Sequence, residues 1–170
     1  PLSEFDLVGI TLPHELAATN VLEVLSLGGI PLRSSERGEG DPLVVAGGPC
    51  AYNPEPYAAF FDAFFIGEGE ELDLLAARTH RRLRDAGASR SQVLRELAAI
   101  EGVYVPSLYR EKTPEEQARP LEGVRDTICT RCAPVEEGVP PLVRKAVIAD
   151  FDATKALPTP IVPYQELVHD

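Results

Sequence analysis

The sequence predicts an α/β fold on a parallel sheet, followed by a proline-rich, partly β carboxyl-terminal extension. Two short aliphatic runs, residues 43–46 and 63–66, each end in a glycine turn, Gly47-Gly48-Pro49 and Gly67-Glu68-Gly69-Glu70. Amphipathic helical patterns lie before the first run and after the second. In an open parallel sheet the carboxyl ends of the strands share one rim, and small ligands bind there, near the point where strand order reverses. Both turns are therefore expected on that rim.

Residues 5–12 carry five apolar side chains and one charge, the pattern of a strand buried on both faces. After Pro13, Ala18, Val21, Leu22 and Leu25 fall at helical spacing, and Gly28-Gly29 supplies a helix stop. Ile30-Pro31-Leu32 reads as a short strand, and residues 33–41 as a polar surface loop with nothing to bury. Residues 43–46, bounded by Pro42 and Gly47, form a central strand. Three prolines and two glycines stiffen the loop 47–56, and residues 57–61 read as a short helix entered through proline. Asp62 then turns the chain into the strand 63–66.

From Glu68 to Ala86 an apolar stripe of Leu72, Leu75, Ala76 and Leu83 predicts a helix, with acids early and arginines late to match its dipole. Ser89 and Gln92 fit a capping box that opens another helix running to about Ala99. Beyond Gly102 the texture changes. Residues 103–105 and 142–149 look like strands, and prolines recur too often for a helical layer. The domain division is thus 1–102 for the α/β unit and 103–170 for the extension.

The chain has 170 residues and a net charge of -11, so its field repels phosphate backbones and anionic lipid. Nucleic acid and membrane are excluded as partners of this piece on that ground. No apolar run approaches membrane-spanning length, the amino terminus lacks signal-peptide order, and three cysteines leave one thiol unpaired. These features predict a soluble cytoplasmic chain. The chain begins on proline without methionine, and only three parallel-strand candidates are visible, whereas sheets commonly hold four to six strands. Further strands are expected upstream.

Gly67-Glu68-Gly69-Glu70 opens a helix, and such a turn can cradle phosphate through its backbone N–H groups. Here Glu68, Glu70 and Glu71 crowd the turn and disfavour an anion, leaving a neutral or cationic ligand or a purely structural βα turn. Cys129-Thr130-Arg131-Cys132 has the spacing for two thiolates on one metal or for a redox disulfide, yet no second pair exists. His14 and Asn53 fit either rim contacts or ordinary turn residues. No nucleophile triad can be assembled, so neither a catalytic nor a metal residue is assigned.

Several stretches, namely Phe5-Asp6-Leu7-Val8-Gly9, Leu43 through Gly47-Gly48-Pro49, Asn53-Pro54-Glu55-Pro56, Phe61 through Gly67-Glu68-Gly69-Glu70, and Gly102-Val103-Tyr104-Val105-Pro106, resemble the amino-terminal region of a family of radical SAM proteins. The glycine turns are also similar to those of the cobalamin-binding-type domains that precede many radical SAM cores. The resemblance implies a flavodoxin-like, Rossmann-like sheet and a parent protein whose core holds a 4Fe-4S cluster and uses S-adenosylmethionine. Residues 161–170 resemble the stretch just before that core, and the cluster-binding Cys-x-x-x-Cys-x-x-Cys motif does not occur in this chain. The Asp-x-His-x-x-Gly cobalamin motif is also missing, so cobalamin stands as an alternative ligand. The implied role is an accessory, non-catalytic domain that docks on its own radical SAM core, with Gly47, Gly48, Pro49, Asn53, Gly67, Glu68, Gly69 and Glu70 as candidate cofactor-binding residues. The remaining alternative is an acidic protein-interaction module.

Overall fold

The computed structural model describes residues 1–117 and 132–150. A four-stranded mixed sheet carries the fold, in the order β1 (Leu7–Thr11), β2 (Leu43–Gly47), β3 (Ala63–Phe65), β4 (Val103–Tyr104). β1, β2 and β3 are parallel, with Leu7 opposite Leu43 and Val45 opposite Ala63. β4 pairs antiparallel with β3 through Phe64 and Tyr104. Strand order does not reverse among the described strands.

Helix α1 (Ala18–Leu27) crosses from β1 to β2 and buries Val21 and Leu25, as its spacing predicts. It shares one sheet face with the 48–61 segment, where Val8, Leu12, Val44, Ala46, Phe61 and Phe64 form a core. The other face packs Val45, Ala63, Phe65 and Val103 under α2 (Gly69–Asp85) and α3 (Arg90–Ala98). Two helices between β3 and β4 explain the antiparallel strand. The first returns the chain to the opposite end of the sheet, the second carries it forward again, and the next strand must run back.

The Ser89 capping box is present: the Ser89 hydroxyl accepts from the Gln92 N–H and the Gln92 side chain accepts from the Ser89 N–H. Elsewhere the structure departs from expectation. β1 is an edge strand whose Gly9 and Thr11 are exposed, not a strand buried on both faces. In α2 the inward stripe is Leu72, Ala76 and His80, while Leu75 is half exposed, because the helix axis places position 80 rather than 75 over the sheet. Residues 30–32 form no strand, although Ile30 is buried.

The loop 33–41 does bury something. Arg37 lies inside the protein, its guanidinium donating to the carbonyls of Pro31, Leu32 and Phe60 and to the Asp62 carboxylate. A charge run reads as surface because isolated charges are costly to bury, but four hydrogen bonds from the Arg37 guanidinium, one of them to a carboxylate, offset much of that cost. Asp62 completes the set by accepting from Arg90 and from the Val44 N–H.

In the extension a two-stranded antiparallel ladder joins β5 (Tyr109–Glu111) to β6 (Cys132–Pro134), separated in sequence from α4 (Pro114–Gln117) only by residues outside the description. Residues 142–149 form no strand; a single parallel bridge joins Ala146 to Gly67. Residues 129–131 and the tail 161–170 lie outside the described residues. No helix among the described residues is long and apolar enough to cross a membrane.

Candidate functional site

The parallel register brings the ends of β1, β2 and β3 to one rim, and there a groove of about 580 Å³ opens on the α2 side of the sheet. Gly9, Thr11, Val45 and Phe65 contribute to its floor, while Gly69, Asp73 and Ala77 of α2 form a wall. Four of the eight candidate residues, Gly47, Gly48, Gly67 and Gly69, line it. The two glycine turns do converge.

Gly48 has a φ of 92°, and a Cβ there would stand 3.0 Å from the Thr11 methyl and 3.1 Å from the Leu12 carbonyl oxygen. Only glycine closes this turn without strain. Gly47 ties the rim together, since its carbonyl accepts from the Leu12 N–H at 2.8 Å. Asp73 is the one carboxylate in the groove lining, and sequence reasoning missed it. Its carboxyl is pushed above the ordinary range by burial and by the neighbouring Glu70. Such an environment suits a hydrogen-bond donor or a cation better than a phosphate.

The other four candidates sit apart from the groove lining. Pro49 starts a 3-10 turn, and Asn53 ends it, exposed, with its N–H on the Cys50 carbonyl. Glu70 lies exposed in the first turn of α2. Glu68 is engaged by the extension: its carboxylate accepts from the Ile148 N–H and its own N–H donates to the Ala146 carbonyl. The Ala146 N–H in turn donates to Ile66 at 2.8 Å. The strap 143–148 thus pairs with the backbone of the second glycine turn.

A second cluster lies where the extension meets the 48–61 segment. The buried Tyr104 hydroxyl donates to Glu55 at 2.6 Å, and the Cys132 thiol reaches the same oxygen at 3.7 Å. Burial and the adjacent Glu55 push the Cys132 thiol up, which disfavours the thiolate. The signal in the sequence was Glu55 within Asn53-Pro54-Glu55-Pro56, whose partner could not be read. His14 is an exposed residue heading a 3-10 turn. Among the described residues no three His, Cys, Asp or Glu side chains come together as a metal site.

A family model described as "Radical SAM proteins, N-terminal" matches residues 1–106, which include all four strands of the main sheet. The chain belongs to this radical SAM N-terminal family. An uncharacterized protein of Methanocaldococcus jannaschii is 28% identical over 112 residues, covering 65% of this chain and 20% of the relative. The chain therefore spans about a fifth of the length of that relative. No solved structure matches.

Proposed function

We propose that this chain is the accessory, non-catalytic α/β domain of a radical SAM enzyme, shaped like a cobalamin-binding domain and docking on its own core to shape or cover the active site. The family match over residues 1–106 carries this reading. The 4Fe-4S cluster and S-adenosylmethionine then belong to the rest of the parent protein, in keeping with a relative about five times the matched length. The flavodoxin-like character is supported by the β1-α1-β2 crossover and by helices on both faces of a mainly parallel sheet.

The test is reconstitution of the full-length protein with iron and sulfide. It is expected to take up a cluster and cleave S-adenosylmethionine, while these 170 residues alone do neither. A full-length protein that holds no cluster overturns the proposal.

The groove favours a second reading, in which the rim binds cobalamin or another flat cofactor along Gly47, Gly48, Gly67 and Gly69. Titration with hydroxocobalamin tests it through the visible spectrum. An unchanged spectrum at high protein concentration rules it out.

A further inference from the structure

β1 has one neighbour. The Leu43 N–H donates to the Asp6 carbonyl and the Leu12 N–H to the Gly47 carbonyl, which fixes the alternation of the strand. Residues 6, 8, 10 and 12 turn their backbone groups toward β2, and Leu7, Gly9 and Thr11 turn theirs outward. No hydrogen bond to an outward group of these three residues is found among the described residues.

Edges left open in stable proteins are usually blunted by lysine, proline or a bulge. β1, Leu-Val-Gly-Ile-Thr, has neither a charge nor a proline and pairs in unbroken register along its length. Gly9 bears on the sheet face beside this edge. A Cβ on it would meet nothing closer than Val45 at 3.9 Å, so packing within the described residues does not require glycine there. Glycine inside a strand weakens it and often marks close approach of a ligand or another backbone, here to the sheet face under α2, so it supports occupancy of the groove and leaves the pairing argument to the open edge. The groove beside Gly9 leaves room on the α2 face for the side chains of such a segment.

We propose that the outer edge of β1 is a strand-addition site, filled by an extended, alternately apolar segment of the parent polypeptide lying outside these 170 residues. The length of the matched relative, of which this chain covers 20%, provides ample chain for that segment. Main-chain bonds to Leu7, Gly9 and Thr11 supply the pairing, and side chains at alternate positions fill the groove next to α2. The inference rests on the accessory-domain reading in taking its partner from the same polypeptide. It does not depend on the cluster.

Amide hydrogen exchange on the full-length parent, prepared without iron, tests it. The Val8 and Ile10 amides, which face β2, serve as internal references. The Leu7, Gly9 and Thr11 amides are expected to exchange as slowly as these references, within about tenfold, at every protein concentration. Exchange of the three outward amides about 100-fold or more faster than Val8 and Ile10 overturns the proposal. Protection that disappears on dilution overturns it too, because the occupant is then a second copy of the chain, and equal protection of Leu7, Gly9 and Thr11 in the 170-residue chain alone overturns it as well, because the occupant then lies within these residues. Slow exchange in a parent that later fails to bind a cluster would leave the strand site standing and remove only the radical SAM reading.

Discussion

Asp62 to alanine is the substitution the structure predicts to be most damaging at a position far from the rim groove. The Asp62 side chain is 3% exposed, Arg37 beside it 0% and Arg90 12%. One carboxylate oxygen accepts from Arg37 and from the Val44 N–H, each at 2.8 Å, and the other accepts from Arg90 at 2.8 Å. Burial already lowers the Arg37 pKa, and Asp62 opposes that fall. Removing one partner of a buried ion pair costs about 3–5 kcal/mol, and an orphaned N–H adds a share of about 1–3 kcal/mol. The two overlap in a single deletion, so the expected loss is about 4 kcal/mol, a large part of the roughly 5–15 kcal/mol that holds a domain together. With a urea slope of about 2 kcal/mol/M, the midpoint falls by about 2 M. Asp62→Asn keeps an acceptor for Val44 and should lose about half as much. A loss below about 1 kcal/mol for Asp62→Ala would refute the reasoning, since the carbonyls of Pro31, Leu32 and Phe60 would then suffice to hold Arg37.

Three further outcomes are expected. Gly67→Ala drives a Cβ into the Ala146 carbonyl oxygen at a φ of 113°, so it should cost about 1–3 kcal/mol in urea melts and speed tryptic cleavage after Arg144 and Lys145 as the strap lifts. Ser89→Ala removes the α3 cap and should cost about 1 kcal/mol, seen as a melting point lower by about 2–4 °C. His80 is buried, and burial, with Arg90 second, lowers its pKa below the ordinary 6.5. The unfolded chain therefore binds the proton first, so the His80 contribution to stability is fully present above pH 6.5 and is lost as the pH falls through the depressed folded value. His80→Gln should flatten that decline in a pH series of urea melts.

Much of the α/β unit was legible because its signals are local. The aliphatic runs at 43–46 and 63–66, the spacing of Val21 and Leu25, and the Ser89 capping box all act within a few residues, and each is found where the pattern puts it. Long-range pairings were not legible. Nothing near Arg37 announces Asp62, which lies 25 residues on, and nothing near Glu68 announces Ile148, 80 residues on. The edge position of β1 was hidden for the same reason. An apolar run reports what its side chains can tolerate, whereas burial on both faces depends on which neighbours arrive. The groove was half legible: glycine turns mark strand ends, but Asp73 enters it from a helix face that the apolar stripe left unassigned.

Gly67 and Gly9 look alike in the sequence and differ in what they mean. At Gly67 the chain itself supplies the reason for the small residue, because the Ala146 backbone lies against it and a positive φ forbids most alternatives. Its identity is therefore accounted for by the strap, whether or not a ligand occupies the groove it lines. At Gly9 the backbone is ordinary extended strand and an added Cβ would meet only Val45, at an ordinary 3.9 Å, so no reason for glycine is found among the described residues. Since glycine in a strand interior is a net cost, that cost calls for something outside the described residues to offset it. The weight of a functional reading thus shifts away from the Gly67-Glu68 turn and toward the β1 edge with the groove beside it, where open backbone groups, an unblunted strand and an unexplained glycine coincide.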